Sequence, residues 1–241
     1  MTGDSARRSQ RETWLTAHAM ENYVYRRAEA HERMYTPRRP AHEVPSGAIE
    51  ELYDYVRHTI GDVPLVYLEF GVASGASIAR MARRFGHPDA RFFGFDSFQG
   101  LPEDWVVPQK TWDRGTFSTG GRPPVTSDHR MSFIKGWFQN TLPDFLDQGR
   151  GQFSNPVLVH YDADLYSSTL FILSTIWHHI PEYYFVFDEI IEQEMIALYD
   201  FSQAFPIEIE FLCAMPTKPG SQTPFKAFGR MRRVPLVVAG S

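Results

Sequence analysis

Apolar residues recur along this chain in two rhythms. Short runs at 65–70, 91–95, 131–135, 156–161, 183–187, 206–213 and 225–231 have the length and the β-branched or aromatic content of strands. Between most of them, around 76–86, 138–147, 167–180 and 190–204, apolar positions return at helical spacing. Ahead of the first strand, Ile49, Leu52, Tyr53, Val56 and Ile60 fall on one helix stripe, which Gly61 stops. Alternating strands and helices predict an α/β domain with a mostly parallel sheet covered on both faces. Only Pro216 to Thr223 joins the last two runs, so they should pair antiparallel. The expected sheet therefore has seven strands, the last of them antiparallel.

Two stretches depart from this pattern. Residues 1–45 form an N-terminal helical extension ahead of the domain at 46–241, with Trp14, Leu15, Met20, Tyr23 and Val24 set among charges and Thr36-Pro37-Arg38-Arg39-Pro40 at its end. Such a stripe buries a face against the domain or a partner subunit, as in a homo-oligomer. It would alternatively serve as a lid, with Met34-Tyr35-Thr36 as the hinge-side edge. The second stretch, Gln99 to His129, is rich in Pro and Gly and is read as an active-site loop.

Composition narrows the setting. With 241 residues, 43% of them hydrophobic, the chain suits one domain with a sizeable core. A single cysteine, Cys213, excludes an intrachain disulfide and a cysteine-based zinc site, and it fits a reducing compartment. No run approaches the roughly 18–20 apolar residues of a membrane span, and the Arg-rich N-terminus lacks the apolar core of a secretory signal. A cytoplasmic protein that binds no membrane is expected. The net charge of −5 argues against nucleic acid as a partner.

The chemistry gathers at strand ends. Leu65 to Asp96 reads as a strand, a small-residue loop through Gly71, Gly75 and Ser77, a helix and a second strand closing on an acid. A phosphate-binding loop needs a Lys after its last glycine, and a dinucleotide loop needs G-x-G-x-x-G; neither is present. A nucleoside without phosphates needs only close backbone approach, a carboxylate near a cationic centre and an acid for the ribose. Glu69, Gly71, Gly75 and Asp96 supply that set. Asp162 and Asp164 follow the fourth strand, and Asp188 and Glu189 follow the fifth, on the same expected rim. Four carboxylates so placed repel one another unless a cation sits between them, and oxygen-only ligands favour Mg²⁺ or Ca²⁺. Otherwise one or two of them cap the following helices, Asp164 or Glu189 first. Alternation turns His160 away from Tyr161, and it is read as a buried, hydrogen-bonded core residue. No G-x-S-x-G elbow supports a serine hydrolase.

Several strings then resemble one family: E-F-G-V-x-x-G at 69–75, G-F-D-S-F-Q-G-L-P at 94–102, K-G-W-F-x-x-T-L at 135–142, D-A-D-L-Y-S-S-T at 162–169 and F-D-E at 187–189. The chain is similar over roughly 45–215 to the macrocin O-methyltransferases, class I enzymes with a Rossmann-like sheet that use S-adenosylmethionine, often on sugar hydroxyls of natural products. The resemblance implies that Glu69, Gly71 and Gly75 line the methionine moiety, with Ser77 in the same loop. Asp96 would hold the ribose, with Ser97 beside it. It further implies a Mg²⁺ on Asp162, Asp188 and Glu189, the last standing where the sugar enzymes often carry a second Asp. Asp162 would be both ligand and proton acceptor for a small-molecule hydroxyl. Two other expectations stay open: a metal-independent methyltransferase of another acceptor, and a non-catalytic cofactor-binding scaffold.

Overall fold

The apolar runs assemble into an eight-stranded sheet in a computed structural model that describes residues 22–23, 25–35, 42–44, 48–107, 110–149, 151–190, 192–216 and 224–235. Its strands are β1 (His42–Glu43), β2 (Val66–Phe70), β3 (Arg91–Asp96), β6 (Met131–Lys135), β7 (Val157–Tyr161), β8 (Glu182–Phe187), β9 (Ile207–Pro216) and β10 (Pro224–Arg233). β4 (Trp105–Val107) and β5 (Lys110–Trp112) form a separate antiparallel hairpin. The helices are α1 (Ile49–Ile60), α2 (Ala76–Arg84), α3 (Phe138–Gln148), α4 (Tyr166–His179) and α5 (Gln193–Ala204).

Strand order is β1-β9-β10-β8-β7-β2-β3-β6. β6, β3, β2, β7 and β8 run parallel. β10 is antiparallel to both β8 and β9, so β9 shares the common direction. This is the expected seven-stranded Rossmann-like sheet, with one addition. The two-residue β1 pairs parallel with β9 at the edge and is too short to leave a pattern.

Period two divides the central strands between two cores. Val66, Leu68 and Phe70 of β2 and Val157, Val159 and Tyr161 of β7 face one side, where α3, α4 and α5 bury their stripes. Tyr67 and Leu158 face the other, under α1 and α2. All five residues of β2, and all five of β7, are buried, as a parallel strand covered on both faces requires.

The extension packs on the first core. Residues 25–30 are helical and continue into a π-helical turn, His31–Tyr35. Met34 and Tyr35 are buried, and the Tyr35 ring meets Phe211 edge-on at 5.3 Å. Those two residues therefore serve as core. Trp14, Leu15, Met20, Val24, Thr36-Pro37-Arg38-Arg39-Pro40 and most of the β9–β10 connection lie outside the described residues. Tyr23 and Arg27 bind Glu192, and Arg26 binds Asp200, so the segment is tied to the start and middle of α5. Among the described residues no helix is long and apolar enough to cross a membrane.

Candidate active site

Strand direction decides where polar groups gather. β2, β3, β7 and β8 point the same way, so their carboxyl ends share one rim, which is where open α/β sheets bind ligands. A cavity of about 350 Å³ opens there, within the range of small-molecule sites. Gly71, Asp96, Ser97, Asp162, Asp188 and Glu189 line it, as does Asp164, whereas Glu69, Gly75 and Ser77 are not part of the lining.

Glycine makes the first loop possible. Gly71 sits at φ 96°, and a Cβ there would stand 1.8 Å from the carbonyl oxygen of Asp162. The loop after β2 and the loop after β7 thus touch backbone to backbone. Gly75, at φ 79°, starts α2, and a Cβ on it would stand 2.8 Å from Pro124 Cγ. Asp96 then fastens this loop to β3. Its Oδ2 accepts the N–H groups of Val72 (2.9 Å) and Ala73 (2.8 Å), and its Oδ1 accepts that of Phe98 (2.6 Å). A carboxylate offers about four lone-pair positions, so one remains on Oδ1 for a ligand hydroxyl. Ser97, buried beside it, accepts the Gln99 N–H at 3.0 Å.

Beneath the rim lies a closed polar layer. Glu69 is fully buried; Ser77 Oγ donates to its Oε1 at 2.7 Å and the Tyr67 hydroxyl to its Oε2 at 2.5 Å. His160 is buried and hydrogen-bonded, as expected, with Nδ1 2.7 Å from the Tyr67 oxygen and 3.3 Å from Glu69 Oε2. Burial disfavours its imidazolium, but the carboxylates of Asp188 and Glu69 outweigh that and raise it to about 10. Its Nε2 is 3.7 Å from Asp188 Oδ1, beyond hydrogen-bond reach, and has no other partner among the described residues.

Above that layer stand the acids. One ring nitrogen of His160 and one oxygen each of Asp162 and Asp188 converge within 4.8 Å; Glu189 does not join them. A cation is already present. Lys226, reached from β10, binds the Asp188 carboxylate and donates to the Asp188 carbonyl at 3.1 Å. Burial pushes the Asp188 carboxyl up, yet His160 and Lys226 overcome this and hold it at about 2. Its neighbours go the other way. Burial, then the charge of Asp188, takes Asp162 well above the usual carboxylate range. Burial with Glu189 raises Asp164 to about 8, and burial with Asp188 raises Glu189 to about 7. Among the described residues none donates a hydrogen bond to these three carboxylates.

The capping expectation is corrected. α4 begins after Leu165 and α5 after Glu192, with no side-chain cap from Asp164 or Glu189. Asp164 takes a left-handed φ of 61° and faces the cavity, while Gln193 Oε1 accepts the first N–H of α4, from Tyr166, at 2.9 Å. The loop at 99–129 is ordered over its described residues. Leu101 and Gly115 exchange backbone bonds with Thr116 and Leu101, and Glu103 accepts from Ser167 at 2.6 Å. Its hairpin stacks Trp105 on Trp112, ring centroids 4.2 Å apart, and both line the cavity with Trp137 and Phe138.

Three residues of this region escaped the sequence reading. Glu194, 1% exposed, accepts N–H groups from both rim loops, Ala163 at 3.1 Å and Glu189 at 3.3 Å. In the sequence it looks like any acid in a first helical turn. Tyr67 looks like a core aromatic. Lys226 did carry a signal, as a lysine inside the apolar run Pro224-Phe225-Lys226-Ala227-Phe228.

A family profile described as a methyltransferase domain matches residues 68–189, half of the chain. Among solved structures, the O-methyltransferase NovP is similar with a TM-score of 0.53, over 78% of this chain and 81% of its own, at 18% identity. An O-methyltransferase from Bacillus cereus in complex with SAH is similar with a TM-score of 0.49, over 87% and 91%, at 13% identity. No curated protein sequence matches. At these identities the structural likeness is one of fold.

Proposed function

The chain belongs to the methyltransferase-domain family and is an enzyme of that class, and we propose that it transfers the methyl group of S-adenosylmethionine to a hydroxyl of a sugar or other natural-product small molecule. The observation that carries this reading is a single cavity lined by Gly71, Ala73, Asp96 and Ser97 together with Asp162. The strings shared with the macrocin O-methyltransferases favour the sugar hydroxyl. The wall of Trp105, Trp112, Trp137 and Phe138 suits an acceptor with an extended apolar part.

The sulfonium carries its own activation, so the protein has to place an oxygen in line with the methyl group and receive its proton. In this reading a ribose hydroxyl takes the remaining position on Asp96 Oδ1. The backbone at Gly71 borders the methionine end, and Glu69, Gly75 and Ser77 hold that loop from behind. Asp162 is the proton acceptor. It lines the cavity, and among the described residues no group is bound to its carboxylate. The described part of the N-terminal extension is tied to α5 through Tyr23, Arg26 and Arg27.

Of the expected Mg²⁺ ligands Asp162, Asp188 and Glu189, the first two converge with His160 in a group that could hold an ion. Glu189 stands outside the convergent group, and Asp188 is engaged by the Lys226 ammonium. The donor set does not fit a three-carboxylate centre, and no step above depends on one.

Labelled cofactor offered with a panel of glycosylated and hydroxyl-bearing natural products tests the proposal, alongside titration of S-adenosylhomocysteine. Asp162→Ala should abolish transfer and leave product-cofactor affinity within a few-fold of wild type. Full activity in that variant would remove Asp162 from its role. A wild-type protein that binds no S-adenosylhomocysteine would sink the whole reading.

A further inference from the structure

We propose that Lys226 is the resident cation of the acidic rim, engaging Asp188 where a divalent ion would otherwise sit, so that this site works without a metal. The inference rests on the methyltransferase reading above and adds to it the source of positive charge.

Asp162, Asp164, Asp188 and Glu189 line the cavity together, and their mutual repulsion is lowered by a counter-charge. The fold supplies it from the antiparallel strand. Ala227 of β10 pairs with Phe187 of β8, so the next position along places Lys226 opposite Asp188, just past the end of β8. The ammonium then makes two contacts with one residue, to the carboxylate and to the main-chain carbonyl at 3.1 Å. A lysine that only balanced surface charge would make neither the second contact nor the burial. Lys226 is 7% exposed, and its Nζ stands 4.9 Å from the centre of the Phe225 ring.

This arrangement leaves little for a metal. A hard ion on Asp188 would lie roughly 2.0–2.6 Å from the carboxylate oxygen and therefore against the ammonium, in a partly buried place where like charges repel strongly. Of the imidazole in the convergent group, Nδ1 is committed to Tyr67 and Glu69, and Nε2, 3.7 Å from Asp188 Oδ1, is the one ring nitrogen turned to the acids. Nor does the ammonium do a metal's work, since it cannot chelate two acceptor oxygens and polarise them. It fixes Asp188 and lowers the repulsion felt by Asp162, which leaves proton removal to the Asp162 carboxylate alone. Lys226 is thus a positioning residue. Its removal would leave Asp188 and Asp162 within 4.8 Å of one another and of a His160 ring nitrogen with the ammonium gone, a group that could hold a metal ion.

The test uses Mn²⁺ as probe, followed by its free-ion electron paramagnetic resonance signal in chelator-treated full-length protein with S-adenosylhomocysteine present. Wild type should show no site tighter than about 1 mM, and chelator should leave its methyl transfer unchanged. Lys226→Met should gain Mn²⁺ affinity on the order of tenfold or more, and adding Asp162→Asn should cancel the gain. Lys226→Arg, which keeps the charge, should behave as wild type. A site well below millimolar in wild type overturns the proposal, and so does a Lys226→Met variant that folds yet gains nothing. If Lys226→Met fails to fold, the wild-type titration and Lys226→Arg still decide. Failure of the parent reading has a separate signature, an absence of S-adenosylhomocysteine binding, which leaves the Mn²⁺ result standing.

Discussion

Two residues set the geometry of the cofactor loop, and each can be tested alone. Gly71 has no room for a methyl group, because Cβ would overlap the Asp162 carbonyl at 1.8 Å and both partners are backbone. Gly71→Ala should therefore separate the two rim loops and cost about 3 kcal/mol or more. Thermal denaturation checks this, and a melting point within about 2 °C of wild type would contradict it. Asp96 is the second. Asp96→Asn leaves one oxygen where two served, so at least one of three backbone N–H groups loses its acceptor, at about 1–3 kcal/mol if it stays buried. The variant should melt lower and bind S-adenosylhomocysteine less tightly. An unchanged titration would mean that Asp96 holds only the loop. Most of this site was legible in the sequence because its residues follow strands, where β-strand period and direction fix their place. Glu194 and Tyr67 were not, since a buried acid in a helical turn and a buried tyrosine leave no pattern apart from their exposed or core counterparts.

At the scale of elements, the β4–β5 hairpin and α5 behave differently from the sheet. Trp105 packs in a small cluster with Leu101, Val107 and Leu165, apart from the two main cores. Trp105→Ala should loosen the hairpin locally, raising its hydrogen exchange with only a small fall in melting temperature. Phe95→Ala, in the main core, should cost about 3–5 kcal/mol globally. Equal global losses in the two variants would refute the hairpin's independence. The sequence did not disclose this hairpin, as three-residue strands are too short to establish a period. α5 carries a pH signature through Glu194. Burial, then the charge of Asp164, raises its carboxyl to about 8 from an ordinary 4.5. The folded state therefore holds that proton more tightly than the unfolded chain, and its contribution to stability falls as pH rises from 4.5 through about 8. Glu194→Gln has no such proton to lose. Its melting temperature should decline less than that of wild type between pH 5 and 8, and parallel declines would refute the assignment.

For the whole molecule, the hydrophobic rhythm carried most of the architecture. Short apolar runs alternating with helical stripes predicted the parallel sheet, and the missing helix between the last two runs predicted the antiparallel strand. What that strand does at the site could not be read from motifs. Lys226 meets Asp188 only because β10 inserts beside β8, a consequence of strand order and not of sequence proximity. Likewise Met34 and Tyr35 resembled a hinge and are core, since their burial depends on Phe211, far along the chain. The central claim is that the rim of this sheet holds S-adenosylmethionine with its methyl group turned toward Asp162. A crystal structure of the complex with S-adenosylhomocysteine tests it most directly. The account predicts a ribose hydroxyl on Asp96 Oδ1, the homocysteine portion along Gly71 and the sulfur facing the Asp162 carboxylate within the cavity. Density for the product outside that cavity, or with its sulfur turned away from Asp162, would contradict it.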